Sequence, residues 1–236
     1  MKKGFLTLII LVSIVSFAKA QSITAFVTSN GLAPVPAFKL GKPAAFLAFD
    51  GNIISTKRFS LEANPDLGID LTNGQGWFGD TWLQGNLKLD TAGRWIASAA
   101  IDWSLIFVQQ ANGKTMSVPY PTTKLQMRFT MDPKNAFDLE SWYTKAIPLS
   151  DGIAGTYTSF QYTRSQQLGS TYTISATANL FYLDYSDGTQ GFARSISASL
   201  THKSGVYVAC QFTNDINAPH VTAVHAFTLG FTCKIK

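Results

Sequence analysis

From Arg58 to Leu71 the chain alternates strictly. Its odd positions read Phe, Leu, Ala, Pro, Leu, Ile, Leu and its even positions Arg, Ser, Glu, Asn, Asp, Gly, Asp. Successive side chains of a strand point to opposite faces, so this is a long strand with one apolar and one charged face. The same period puts Trp95, Ala97, Ala99, Ile101, Trp103, Leu105 and Phe107 on one face, and likewise Leu125, Met127, Phe129 and Met131. In the last segment it does so for Phe227, Leu229, Phe231, Cys233 and Ile235. The opposite faces are polar: Gln84, Asn86 and Lys88; Lys124, Gln126 and Arg128; Ser195, Ser197, Ser199 and Thr201.

Strands are predicted over 22–30, 43–50, 58–71, 77–90, 94–108, 121–132, 136–148, 154–166, 171–185, 191–203, 206–213 and 223–235. Between them stand Asn73-Gly74, Ala92-Gly93, Asn112-Gly113, Asp132-Pro133, Asp151-Gly152, Asp187-Gly188 and Ser204-Gly205, all residue pairs that favour tight turns. Many segments match the roughly 9–11 residues that cross a bilayer as a tilted strand. The pattern therefore predicts an all-β chain forming a single antiparallel transmembrane β-barrel of about twelve strands, within bounds of ten and fourteen. A soluble β-sandwich yields the same alternation, but its strands usually run only about 5–6 residues. Charge supports the barrel: charged residues make up 14% of the chain, against about 25% in an average soluble domain.

Parity gives a topology. With the C-terminus on the inner side of the membrane, 133–135 and 204–205 become inner turns. The long connections 31–42, 109–120 and 214–222 then all fall outside, as such barrels require. The connection 109–120 holds one charge, Lys114, and ends in Met-Ser-Val-Pro-Tyr. It is expected to fold over the barrel mouth as a constriction, anchored by Tyr120.

The first residues read as a leader: Lys2 and Lys3, an apolar run from Phe5 to Phe17, then Ala18-Lys19-Ala20 before Gln21. This predicts a signal peptide over 1–20, cleaved between Ala20 and Gln21, and one barrel domain over 21–236. Cleavage would remove Lys2, Lys3 and Lys19, lowering the formal charge of +5 by three. The remaining Lys and Arg are scattered singly, so no nucleic-acid partner is expected.

The chain resembles Gram-negative outer-membrane β-barrel proteins and, more loosely, the porin-like barrels of Bacteroidetes-type organisms. The resemblance runs from Phe59-Ser60-Leu61-Glu62 through Trp77-Phe78-Gly79-Asp80-Thr81-Trp82 to Phe227-Thr228-Leu229-Gly230-Phe231-Thr232-Cys233-Lys234-Ile235-Lys236. The last segment is similar to the terminal strand read by insertion machinery, although it ends Ile235-Lys236 where such strands commonly end on Phe or Trp. The resemblance implies location in the outer membrane, with its lipid as partner.

Candidate chemistry is confined to the inward face. Arg58, Glu62, Asp66, Asp70, Lys88, Arg94, Asp102, Lys124 and Arg128 are expected to face the lumen, carboxylates paired with cations because a narrow barrel encloses them. No H-E-x-x-H, G-x-S-x-G, Cys/His cluster or phosphate loop occurs, so no enzyme activity, metal or cofactor is expected. His202, His220 and His225 have no Ser in a recognisable motif, unlike the Ser and His of the twelve-stranded outer-membrane phospholipase. Cys210 and Cys233 fall on the apolar face of the last hairpin. A pairing of constant index sum would set them opposite each other, so a cross-strand disulfide and two free thiols both remain open. Three functions fit: a narrow channel or passive facilitator for small polar solutes, a non-conducting structural or accessory membrane protein, and a secreted soluble sandwich that binds glycans on Trp and Tyr platforms. Neither a solute nor an oligomeric state is specified.

Overall fold

The computed structural model describes residues 20–29, 31–32, 39–40, 44–71, 76–109, 115–144, 155–219, 221 and 223–235. Its strands are β1 (Ala20–Thr28), β2 (Gly31–Leu32), β3 (Lys39–Leu40), β4 (Ala44–Ser55), β5 (Phe59–Asp70), β6 (Gly76–Lys88) and β7 (Trp95–Gln109). They continue as β8 (Thr115–Asp132), β9 (Asn135–Thr144), β10 (Gly155–Leu168), β11 (Tyr172–Tyr185), β12 (Gln190–His202), β13 (Val206–Asp215) and β14 (Val224–Lys234). Apart from the small β2–β3 ribbon, the strands form one antiparallel sheet in chain order. It closes where β1 pairs with both β14 and β4. The twelve-stranded barrel is thus what the dyad pattern predicts, and a two-sheet sandwich is not.

Turn chemistry explains one end of the barrel. The connections 56–58, 89–94, 133–134, 169–171 and 203–205 all emerge at the end that carries the two chain termini. In the 133–134 turn, Asp132 Oδ1 accepts the backbone N–H groups of Lys134 (2.7 Å) and Asn135 (2.9 Å). The Ser204-Gly205 turn holds its glycine at φ 96°, where an L side chain is strained. The connections 29–43, 71–75, 110–114, 145–154, 186–189 and 216–223 leave the other, distal end.

Closure sorts the side chains. Ile101 (58% exposed), Leu125 (65%), Ile196 (59%), Phe227 (60%) and Leu229 (59%) point outward as one apolar band. Trp95 stacks on Phe129 across the β7–β8 ladder (4.4 Å), and Tyr182 packs beside Phe192 (5.2 Å). A band this continuous greatly exceeds the apolar patches that soluble monomers expose. The inner wall is hydroxyl-rich, with Thr24–Thr232 (2.9 Å), Thr163–Thr177 (3.1 Å) and Ser165–Ser175 (2.8 Å) bonded across neighbouring strands.

Two expectations are corrected. Thr115–Tyr120 is not loop: it begins β8 and pairs with β7 from Gln109↔Thr115 to Ser104↔Tyr120. The β7–β8 connection shrinks to 110–114, so Tyr120 is a strand residue, while Lys114 lies outside the described residues. Pro119 and Pro121 stand within β8, whose pairing with β9 begins only at Thr122↔Thr144. Among the described residues that part of β8 is paired on one side only, where a missing N–H is tolerated. The cysteines are also not opposite: Cys210 pairs with Phe227 and Cys233 with Ile23 of β1. The β13–β14 ladder begins at Val206↔Phe231, so β14 runs beyond β13 and completes its length against β1. Both thiols are free. Alkylation of the unreduced, denatured protein should therefore add two labels per chain by mass, and a chain that takes none until reduced would contradict this register.

Candidate functional site

Among the described residues polar side chains gather in the lumen. Toward the end with the termini lies a cavity of about 350 Å³, lined by inward residues of β4 to β8 and the 56–58 turn. Asn52, Arg58, Glu62, Asn86, Lys88 and Arg128 supply its charge and hydrogen-bonding capacity, with Ile96 among them. The register explains the convergence. Asn52 pairs with Glu62, Glu62 with Gln84, Asn86 with Ser98, and Ile96 with Arg128, so one inward row crosses five strands.

These groups form a network across the strands. Asn86 Nδ2 donates to Glu62 Oε1 (2.9 Å) and to Ser60 Oγ (3.1 Å), while Asn86 Oδ1 accepts from Gln84 Nε2 (2.8 Å) and Ser98 Oγ (2.7 Å). Ser60 Oγ in turn donates to Glu62 Oε1 (3.1 Å). Beside the cavity, Asp138 is almost fully buried and accepts from Arg128 Nε (2.7 Å), Arg128 Nη2 (3.3 Å) and Gln126 Nε2 (3.0 Å). Lys124 lies over the Trp82 ring, 5.5 Å from its centroid. The buried Asn52 Oδ1 has no hydrogen-bond partner. An unsatisfied buried acceptor costs about 1–3 kcal/mol, so a donor on an incoming molecule would relieve it.

Toward the distal end the inner wall carries two apolar groups. Phe26 stacks on Phe46 inside the wall, with ring centroids 4.7 Å apart. On β10–β12, Tyr157, Leu183, Tyr185 and Ala193 form a buried cluster with Ala218, against which Phe181 and Val221 pack.

The predicted lumen charges are only partly brought together. Arg58, Glu62, Lys88 and Arg128 line the cavity. Asp66 is inward on β5, paired with Asp80 and Ala48, but is not part of that lining. Lys124 is inward beside Trp82. Arg94 lies exposed in the 89–94 turn, where its carbonyl accepts the Thr130 N–H, so it does not line the cavity. Asp70 closes β5 opposite Ala44, and Asp102 pairs with Trp82 and Thr122. Asp138 was missed. The predicted strand 136–148 contains it; the described strand runs Asn135–Thr144, with 145–148 outside the described residues, and in it the inward Asp138 and Glu140 alternate with Phe137, Leu139 and Tyr143. Asn52 was missed because β4 continues past Asp50 through a bulge between Asn52 and Ile54.

His202 and Ser204 do meet, with Nδ1 and Oγ 2.7 Å apart, but Nδ1 also accepts the Ser204 N–H (3.1 Å). That is the geometry of a turn cap. His220 lies outside the described residues, and His225 is exposed on β14 beside Phe212. Among the described residues no group of three His, Cys, Asp or Glu side chains could hold a metal ion.

No protein-family model and no curated protein matches the sequence. Solved structures match in fold. The KdgM porin has a TM-score of 0.57 at 10% identity, covering 91% of this chain and 99% of that chain. The KdgM porin in complex with disordered oligogalacturonate has a TM-score of 0.54 at 10% identity, over 91% and 99%. An outer-membrane channel from Pseudomonas putida F1 has a TM-score of 0.56 at 12% identity, over 92% and 96%. The chain therefore has the fold of outer-membrane β-barrels, a fold that by itself does not choose a function.

The Arg128–Asp138 pair generates a stability prediction. Replacing Asp138 by Ala removes the hydrogen bonds that Arg128 and Gln126 make to a buried carboxylate. It should lower the resistance of the folded barrel to urea by about 1–3 kcal/mol. An unchanged unfolding midpoint would contradict the pairing.

Proposed function

We propose that this chain, after removal of residues 1–20, sits in the outer membrane as a narrow channel for small polar solutes. The end with the termini would face the periplasm and the distal end the outside. One observation carries the reading: a barrel with an apolar outer wall encloses a polar cavity of about 350 Å³. A protein that needed only to be anchored in lipid gains nothing from an inner row of amides and charges of both signs. Such a row is what replaces a solute's hydration shell. Asn52 Oδ1 adds a buried acceptor still lacking a donor. Proteins with this fold include an outer-membrane channel and a porin in complex with oligogalacturonate, which supports passage of a polar solute.

The lining suggests charge preference. Arg58, Lys88 and Arg128 outnumber Glu62, even with Asp138 behind Arg128. Small anions and neutral hydroxylated molecules are therefore favoured over cations. The second reading, a non-conducting structural barrel, is favoured by one observation: the apolar cluster narrows the distal half of the lumen.

Planar-bilayer recording under a KCl gradient tests the choice. Wild type should conduct with a reversal potential on the anion side. Arg58→Gln together with Lys88→Gln should move it toward cations, and Glu62→Gln should move it further toward anions. Zero conductance in folded, inserted wild-type protein and in variants with the distal connections trimmed would retire the channel and leave the structural reading.

A further inference from the structure

After β13, residues 216–219 turn back onto the inner wall. The N–H groups of Ile216 and Asn217 both donate to the Phe192 carbonyl (2.8 and 3.2 Å), and Asn217 Oδ1 accepts the Phe192 N–H (2.7 Å). The Val221 N–H donates to the Ala218 carbonyl (3.3 Å), closing a turn. Ala218 is thereby buried to 3% exposure against Tyr157, Leu183, Tyr185 and Ala193. Those four residues belong to the inward rows of β10, β11 and β12.

What admits this segment is a missing side chain. A Cβ at Gly191 would stand 2.5 Å from Ala218 Cα, 2.6 Å from the Asn217 carbonyl oxygen and 2.8 Å from Ala218 N. These neighbours are backbone atoms, so nothing flexible could move aside. Gly191 is not among the glycines at positive φ, so its backbone does not demand glycine. Close approach does. Ala193, the next inward residue on β12, is likewise small and fully buried.

We propose that the 216–219 segment is the constriction of this barrel, seated by Gly191 as its positioning residue, and that it limits conductance. The role was expected of 109–120, of which Thr115–Tyr120 is strand and 110–114 lie outside the described residues. The proposal rests on the channel reading and deepens it. Among the described residues the segment hydrogen-bonds to one residue of the wall, Phe192, and sets Ala218 in an apolar cluster against which Val221 also packs. The β12–β13 ladder closes just below, at Ala193↔Asp215. Displacing the segment therefore leaves the barrel hydrogen bonds intact, which suits a part that blocks a lumen without supporting its wall.

The test uses the full chain in planar bilayers, with heat-modifiable migration on gels reporting that each variant is folded. Gly191→Leu should raise single-channel conductance several-fold over wild type by unseating Ala218. A variant in which 217–221 is replaced by Asn-Gly should do the same, and it decides alone if Gly191→Leu does not fold. Asn217→Ala, which removes only the side-chain anchor on Phe192, should lengthen open times. If wild type already conducts and both the Gly191→Leu and shortened variants match it, the constriction is overturned while the channel stands. If none of the three conducts, both are overturned.

Discussion

The structure depends on the backbone pairing of β1 with β14. Seven residue pairs, from Ser22↔Lys234 to Thr28↔Thr228, turn a long sheet into a tube. In hydrocarbon no water replaces a missing partner, so an unpaired strand edge there leaves a row of donors and acceptors unsatisfied, each costing several kcal/mol. Closure removes that edge. It also makes every other property of the fold follow from the period of two: once the tube is shut, each side chain faces either out or in. The apolar band through Ile101, Leu125, Ile196 and Leu229 and the inward row through Asn52, Glu62, Asn86 and Ser98 are two faces of the same ladders.

Enclosure shapes what the interior can contain. Charges kept from bulk water require partners, and the barrel supplies them from adjacent strands rather than across the lumen. Asp138 of β9 takes Arg128 and Gln126 of β8, and Glu62 of β5 takes Asn86 of β6. Wall residues satisfied by their neighbours leave the cavity itself open. Arg58 and Lys88, near the rim, stay exposed and available to a solute. The distal half follows another logic, with aromatic and small residues excluding water around Ala218. On the channel reading proposed above, the polar cavity and this apolar cluster stand in series along the lumen.

Most of this architecture could be read from the sequence, because a half-buried strand writes its two faces directly into alternate residues. The segment 58–71 anticipated β5 to within a residue at each end, and Asp187-Gly188 and Ser204-Gly205 marked real turns. The failures came where the deciding contact is remote in sequence. Thr115–Tyr120, with Pro119 in it, reads as loop unless one knows that β8 pairs with β7 there and that its pairing with β9 begins only at Thr122. Cys210 and Cys233 look opposed unless one knows that β14 is shared with β1. Nothing in Asn217-Ala218-Pro219 advertises an inward fold, because the reason lies at Gly191 on another strand. The candidate site was half legible for the same reason. The charges were visible, but their grouping depends on register across five strands.

The central claim is that one face of each strand meets lipid and the other a polar lumen. Spin labels placed singly along β11 from Ile174 to Leu180, in the protein reconstituted in lipid bilayers, test it most directly. Relaxation by oxygen should peak at Ile174, Ala176, Ala178 and Leu180. Relaxation by a water-soluble nickel chelate should be low at those four positions and oscillate out of phase with oxygen. Accessibilities that oscillate in phase, with the chelate reaching Ile174 and Ala178 as readily as oxygen does, would contradict a membrane-spanning barrel.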